Sequence, residues 1–143
     1  MDAKVDTPAG QVISARALSL KYGSGAAGVL ALSDISFNVA DGEFIVVVGP
    51  SGCGKSTLLK VLAGLLPPTE GQADLRGTPI KGPRRDIGVV FQSPVLFPWR
   101  SVLENVMLPV DVQRLDRHEM KKRAQGLIDL VGLSGFEIGR AHV

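Results

Sequence analysis

The sequence predicts an α/β fold organised around a phosphate-binding loop. Three observations predict it. Apolar and polar residues alternate over residues 12–20 and again over 30–39, the period of half-buried strands. Phe44-Ile45-Val46-Val47-Val48 is instead continuously apolar, mostly β-branched and bounded by glycine, as in a parallel strand buried on both faces. A glycine-rich loop and a helical repeat follow directly, so strand, loop and helix come in the order that a phosphate loop requires.

Each element has a local cause. Residues 1–10 are polar and form an expected flexible tail. The first alternating segment ends at Tyr22-Gly23-Ser24-Gly25, a chain breaker. Asp41-Gly42 is a hairpin signal, and it is expected to join the segment 30–39 to an antiparallel strand at 44–48. Leu58, Leu59, Leu62 and Leu65 share a face of a helix expected over 55–66, which Pro67-Pro68 stops. Ala73 to Leu75 and Ile87 to Phe91 are expected short strands. Ser101 with Glu104 three residues on reads as a capping box, opening a helix through Leu108. A further helix is expected over 117–131, with Met120, Ala124, Leu127, Ile128 and Val131 on one face and Gly132 as its stop.

Composition excludes several classes. The chain has 143 residues, 45% hydrophobic and 21% charged, within the ordinary globular range. Its net charge of +2 and the absence of a basic stripe argue against nucleic acid as a partner. Lys121-Lys122-Arg123 reads as a solvated helix face. One cysteine, Cys53, rules out an internal disulfide. No apolar stretch approaches the ~20 residues that span a bilayer, and the N-terminus lacks the apolar core of a signal peptide. A soluble, cytosolic chain is expected.

The central motif is Gly49-Pro50-Ser51-Gly52-Cys53-Gly54-Lys55-Ser56, the pattern G-x-x-x-x-G-K-[ST]. A triphosphate needs many short, convergent donors. The N–H groups of a tight loop supply them where no Cβ blocks approach, which accounts for Gly49, Gly52 and Gly54. The helix that begins near Lys55 adds its positive end. Lys55 carries a mobile charge to the β- and γ-phosphates, the Ser56 hydroxyl is a ligand for Mg²⁺, and Thr57 serves the α-phosphate. ATP and Mg²⁺ are the implied cofactors. Cys53 reads as a small filler of the loop rather than a reactive thiol.

With this loop, GPSGCGKSTLLKVLAGLLPPTEGQ and the later IGVVFQSPVLFPWRSVLENV resemble the ATP-binding subunit of ABC transporters, most nearly the nitrate, sulfonate, bicarbonate and taurine importer group. The resemblance runs from about Val12 to Phe136. It implies the N-terminal half of a P-loop NTPase of the ABC type: a RecA-like core, an antiparallel β subdomain and the start of a helical subdomain. It further implies that Tyr22 stacks on adenine and that Gln92, in the glutamine loop, reaches Mg²⁺ and the attacking water. Residues 93–102 would receive a membrane permease, with Phe97 and Trp99 either its apolar contacts or core residues of the helical subdomain. The implied partners are that permease, a second ATP-binding subunit and, indirectly, a periplasmic or extracellular solute-binding protein. The implied location is peripheral, on the cytoplasmic face of the membrane.

The rest of the family's hydrolytic machinery is absent from the sequence. There is no L-S-G-G-Q signature, no Walker B acid with its following glutamate, and no switch histidine. Leu133-Ser134-Gly135 continues into Phe136 where glycine is required. His118 and His142 follow no apolar strand, and Asp111, Asp116 and Asp129 lack a preceding buried strand. A partial ABC domain is therefore expected over 11–136. Residues 137–143 are expected to be non-native, because Ile138 to Val143 can be encoded by the start of a common sequencing adapter, ATC GGA AGA GCA CAC GTC. Such a chain is expected to be poorly soluble, to bind nucleotide weakly and not to turn it over. Two other readings compete: a non-hydrolysing ATP-binding or permease-docking module, and an inert gene fragment. A P-loop kinase would share the loop but lack the FQSPVLFPW segment.

Overall fold

The computed structural model describes residues 10–23, 28–93 and 95–139. Apart from Gly10 the expected tail lies outside them, as do the turn from Ser24 and residues 140–143. The chain divides into two compact units between Val89 and Val90.

The first unit is built on a four-stranded antiparallel sheet in the order β2-β1-β3-β4. Its strands are β1 (Gln11–Tyr22), β2 (Val29–Ala40), β3 (Glu70–Leu75) and β4 (Thr78–Pro79). β1 is central, pairing Ile13 with Val39 of β2 on one side and with Leu75 of β3 on the other. The alternation that marks β1 and β2 is not continuous. Ala17 (φ 48°) and Asp34 (φ 49°) are left-handed and sit at breaks in the ladder. Each break shifts the inward parity by one, so buried Ala15 is followed by buried Leu18 and Leu20. Two hydroxyls replace the lost ladder bonds: the Ala17 N–H donates to Ser36 Oγ at 2.8 Å, and the Asp34 N–H donates to Ser19 Oγ at 3.0 Å. Gly71 of β3 (φ 76°) fits the same irregularity, since a Cβ there would lie 2.2 Å from the Ala17 carbonyl oxygen.

One face of this sheet carries the core, in which Ala15, Leu18, Leu20, Leu32 and Ala73 pack with Leu58 and Val61 of helix α1 (Lys55–Leu62). Buried Asp74 is ion-paired to Arg16 and accepts from Gln72 Nε2 at 2.6 Å, so no buried side-chain polar atom among the described residues lacks a partner.

Three expectations are corrected here. The partner of β2 is β1, not residues 44–48. Asp41-Gly42 does form a turn, with the Glu43 N–H donating to the Ala40 carbonyl at 3.2 Å. Beyond it, however, residues 44–48 pair with no strand among the described residues, and Phe44 is 89% exposed. Residues 87–91 also form no strand, and Val90 is fully exposed. The physical reason is common to both. An all-apolar run needs neighbours on both edges and cover on both faces, and no described element supplies them. Helix α1 is shorter than expected and rotated. Gly64 (φ 72°) stops it before Pro67, and Leu58 and Val61 are buried while Leu59 and Leu65 are exposed.

The second unit pairs α2 (Val102–Gln113) with α3 (Arg117–Leu130). The expected capping box is present: the Glu104 N–H donates to Ser101 Oγ at 3.2 Å, and the Ser101 N–H to Glu104 Oε2 at 2.8 Å. Asp116 caps α3 through the N–H groups of His118 and Glu119. Met107, Ala124 and Ile128 form the buried seam. Leu127 and Val131, expected on that face, are exposed instead. Gly132 (φ 74°) follows α3 as expected. The Glu137 and Gly139 carbonyls accept the N–H groups of Leu103 and Val102 at 3.1 and 2.9 Å.

Candidate functional site

The phosphate loop motif occupies residues 49–56 of the first unit and runs into α1. Gly52 (φ 81°) and Gly54 (φ 96°) turn the chain through conformations that an L side chain rarely adopts. Gly54 has a second constraint, because a Cβ on it would lie 2.3 Å from the Ala31 carbonyl oxygen of β2. The loop is thus pressed against the sheet edge and delivers α1 into the core through Leu58.

Gly54 is the N-cap of α1, so no side chain caps the helix, and its first turn holds no acidic residue. The orphan N–H groups and the positive end of the helix are left for an anion. Lys55 adds the mobile charge. Its Nζ donates to the Gly49 carbonyl at 2.7 Å and to the Pro50 carbonyl at 2.6 Å, and lies 3.5 Å from Cys53 Sγ. The ammonium is folded back on the loop it serves, held by the carbonyls of its first two residues. Ser51, Gly52 and Cys53 are exposed along the rim, and so is Ser56.

Tyr22 lies at the end of β1, paired with Val29, and its hydroxyl is 3.3 Å from Thr57 Oγ1. The structure therefore brings Tyr22 beside the helix that carries the loop, with its ring half-exposed.

Triphosphate fits this donor set, which combines left-handed glycines, uncapped N–H groups and one lysine. For Mg²⁺ the fit is of one kind only. No group of three or more His, Cys, Asp or Glu residues that could hold a metal occurs among the described residues. Ser56 alone suits an ion that arrives with its phosphates and keeps most of its water.

Gln92, Phe97 and Trp99 belong to the second unit. Gln92 is exposed on a bend, next to exposed Phe91. Trp99 is 69% exposed, its ring 5.0 Å from that of Phe97 and tilted by 46°. The Arg100 guanidinium lies over the other aromatic, 5.7 Å from the Phe97 ring centre. Gln92 and Trp99 are thus exposed, whereas Phe97 and Arg100 are half-buried.

Asn105 escaped the sequence reading. Its side chain binds both main-chain polar groups of Phe97, taking the N–H on Oδ1 at 2.8 Å and giving Nδ2 to the carbonyl at 3.1 Å. A signal was available: an asparagine inside a first turn already capped by Ser101 and Glu104 does little for the helix.

Residues 32–142 match the family described as ABC transporter. The taurine import ATP-binding protein TauB of Burkholderia pseudomallei is 44% identical over 125 residues, 87% of this chain and 48% of that protein. An uncharacterized ABC transporter ATP-binding protein of Methanocaldococcus jannaschii is 49% identical over 109 residues, 76% of this chain and 41% of its own length. Among solved structures, a dimeric ATP-binding cassette in a post-hydrolysis state, bound to ADP and Pi, superposes with a TM-score of 0.78 at 30% identity, covering 90% of this chain and 61% of that one. The chain spans about half the length of the curated relatives it matches.

Proposed function

The chain belongs to the ABC transporter family, and from that premise we propose that it is the nucleotide-gripping part of an importer's ATP-binding subunit. That subunit couples ATP binding and hydrolysis to uptake of a small anion or sulfonate. Taurine-type import is favoured by the 44% identity to TauB. The observation that carries the reading is the phosphate loop, with its uncapped helix and with Lys55 held at the Gly49 and Pro50 carbonyls.

In this proposal the loop N–H groups and Lys55 hold the β- and γ-phosphates, and Thr57 serves the α-phosphate. Lys55 exchanges its two carbonyl partners for phosphate oxygens, so its charge is already at the loop when the ligand enters. Tyr22 offers its ring to the adenine. Ser56 would supply an oxygen to Mg²⁺, and the family resemblance implies for Gln92 a contact with Mg²⁺ and the attacking water. Bound Mg²⁺ would neutralise charge on the transferring phosphoryl group. Phe97 and Trp99 meet the permease, a second ATP-binding subunit closes on the nucleotide, and a solute-binding protein delivers cargo outside. The subunit sits on the cytoplasmic face of the membrane. No helix among the described residues is long and apolar enough to cross it.

The apolar runs at 44–48 and 87–91, exposed and without a strand partner among the described residues, support the reading that the chain holds part of a larger domain. We propose that the chain alone binds Mg-ATP weakly and does not hydrolyse it. Titration of a fluorescent ATP analogue, with Mg²⁺ present, tests the site. Lys55→Ala is expected to weaken binding by at least about ten-fold, the loss of one charged hydrogen-bond donor to phosphate. Equal affinity of both forms would sink the phosphate-loop assignment, and phosphate release above background would sink the claim of inactivity.

A further inference from the structure

Four hydrogen bonds converge on one half-buried side chain in the second unit. Asn105 Oδ1 accepts from the Phe97 N–H at 2.8 Å. Its Nδ2 faces three carbonyls, those of Phe97 at 3.1 Å, Ser101 at 3.0 Å and Arg100 at 3.4 Å. One amide thus closes the loop 97–101 on itself, satisfying both main-chain groups of Phe97 as a strand neighbour would. Only asparagine has the required pattern, a single acceptor on one side and a donor on the other, at this reach. Aspartate would set a second acceptor against three carbonyl oxygens.

The closed loop presents a particular surface. Phe97 is half-buried, with the Arg100 guanidinium over its ring and the Trp99 ring 5.0 Å away, so its side chain braces a tryptophan that is 69% exposed. Arg100 is held in turn by Asp111 of α2, 3.9 Å away. An exposed tryptophan fixed before contact loses little freedom on binding, the arrangement that gives aromatic anchors their strength at interfaces.

We infer that Asn105 is the positioning residue for permease docking: it locks the loop that fixes Phe97 and thereby aims Trp99 at the permease. This rests on the proposed reading of residues 93–102 as the permease surface. Asn105 itself is not expected to touch the permease.

Trp99 is the single tryptophan of the chain, so its emission reports this loop alone. In the 143-residue chain, Asn105→Ala and the near-isosteric Asn105→Asp should each lower Trp99 anisotropy by roughly a third as the ring gains nanosecond freedom. Far-UV dichroism should stay unchanged, because Ser101 and Glu104 still cap α2. Unchanged anisotropy in both variants overturns the inference. In the assembled transporter, Trp99→Ala and Asn105→Asp should both reduce the permease recovered with the tagged ATP-binding subunit, by about ten-fold for loss of one anchor. If Trp99→Ala reduces recovery and both Asn105 variants do not, the positioning role is wrong. Should Trp99→Ala leave recovery intact, it is the docking reading that fails, and anisotropy alone then decides whether Asn105 holds the loop.

Discussion

Strand β1 and residues 44–48 lie in the same unit, and both are rich in aliphatic side chains. β1 has a neighbour on each edge and α1 over one face, and its Leu18 is 0% exposed. Residues 44–48 have no strand neighbour among the described residues, and all five side chains are exposed. The difference shows that apolar content does not make a strand. Pairing of main-chain groups does, and it depends on residues far away in the sequence. β1 alternates, so one helix over one face is enough for it. The 44–48 run does not alternate and requires cover on both.

The largest effect that would break this contrast is on stability. Leu18→Ala should cost about 2–5 kcal/mol, the usual range for emptying a packed leucine site. Val48→Ala should change stability by less than about 0.5 kcal/mol, as at other unburied sites. Amide hydrogen exchange of β1 measures both. A cost at Val48 approaching that at Leu18 would mean the run is packed after all.

A smaller effect concerns association. Exposed apolar runs with unpaired main chain are templates for self-pairing. Val46→Lys with Val90→Lys should lower light scattering at a given concentration while β1 protection is retained. If scattering stays the same, these runs are not the adhesive surface.

The smallest effect concerns the second unit, whose order is local where the first unit's is long-range. The Ser101 N–H and hydroxyl bonded to Glu104 hold its carboxyl below the ordinary glutamate range. Since the folded value is the lower one, this stabilisation is complete above the unfolded value of about 4.3 and is lost as pH falls through the folded value. Exchange of the Ser101 and Glu104 amides should therefore show fraying of α2 in acid but none between about pH 6 and 8. Glu104→Gln should remove that dependence. If acid fraying persists in Glu104→Gln, the capping box is not its source.

What was legible in the sequence was local. The phosphate loop, the Ser101–Glu104 box and the glycine stop after α3 each depend on residues within a few positions of one another. The stop at Gly64 is equally local, and Pro67-Pro68 lie just beyond the end of α1. The clustering of Tyr22 with Thr57 needed the family resemblance, since no spacing rule joins residues on different elements. Asn105 was missed because its partners lie behind it in a loop of no regular pattern.

By itself, then, the sequence determined the glycine turns of the 49–56 loop and the places where helices begin, because both are written in short-range hydrogen bonding and left-handed glycines. Only the tertiary structure decided which strand β2 pairs with, how Ala17 and Asp34 shift the inward face, and that residues 44–48 pair with no strand among the described residues. Those outcomes depend on which distant backbone is present to complete a ladder, and no local window of sequence contains it.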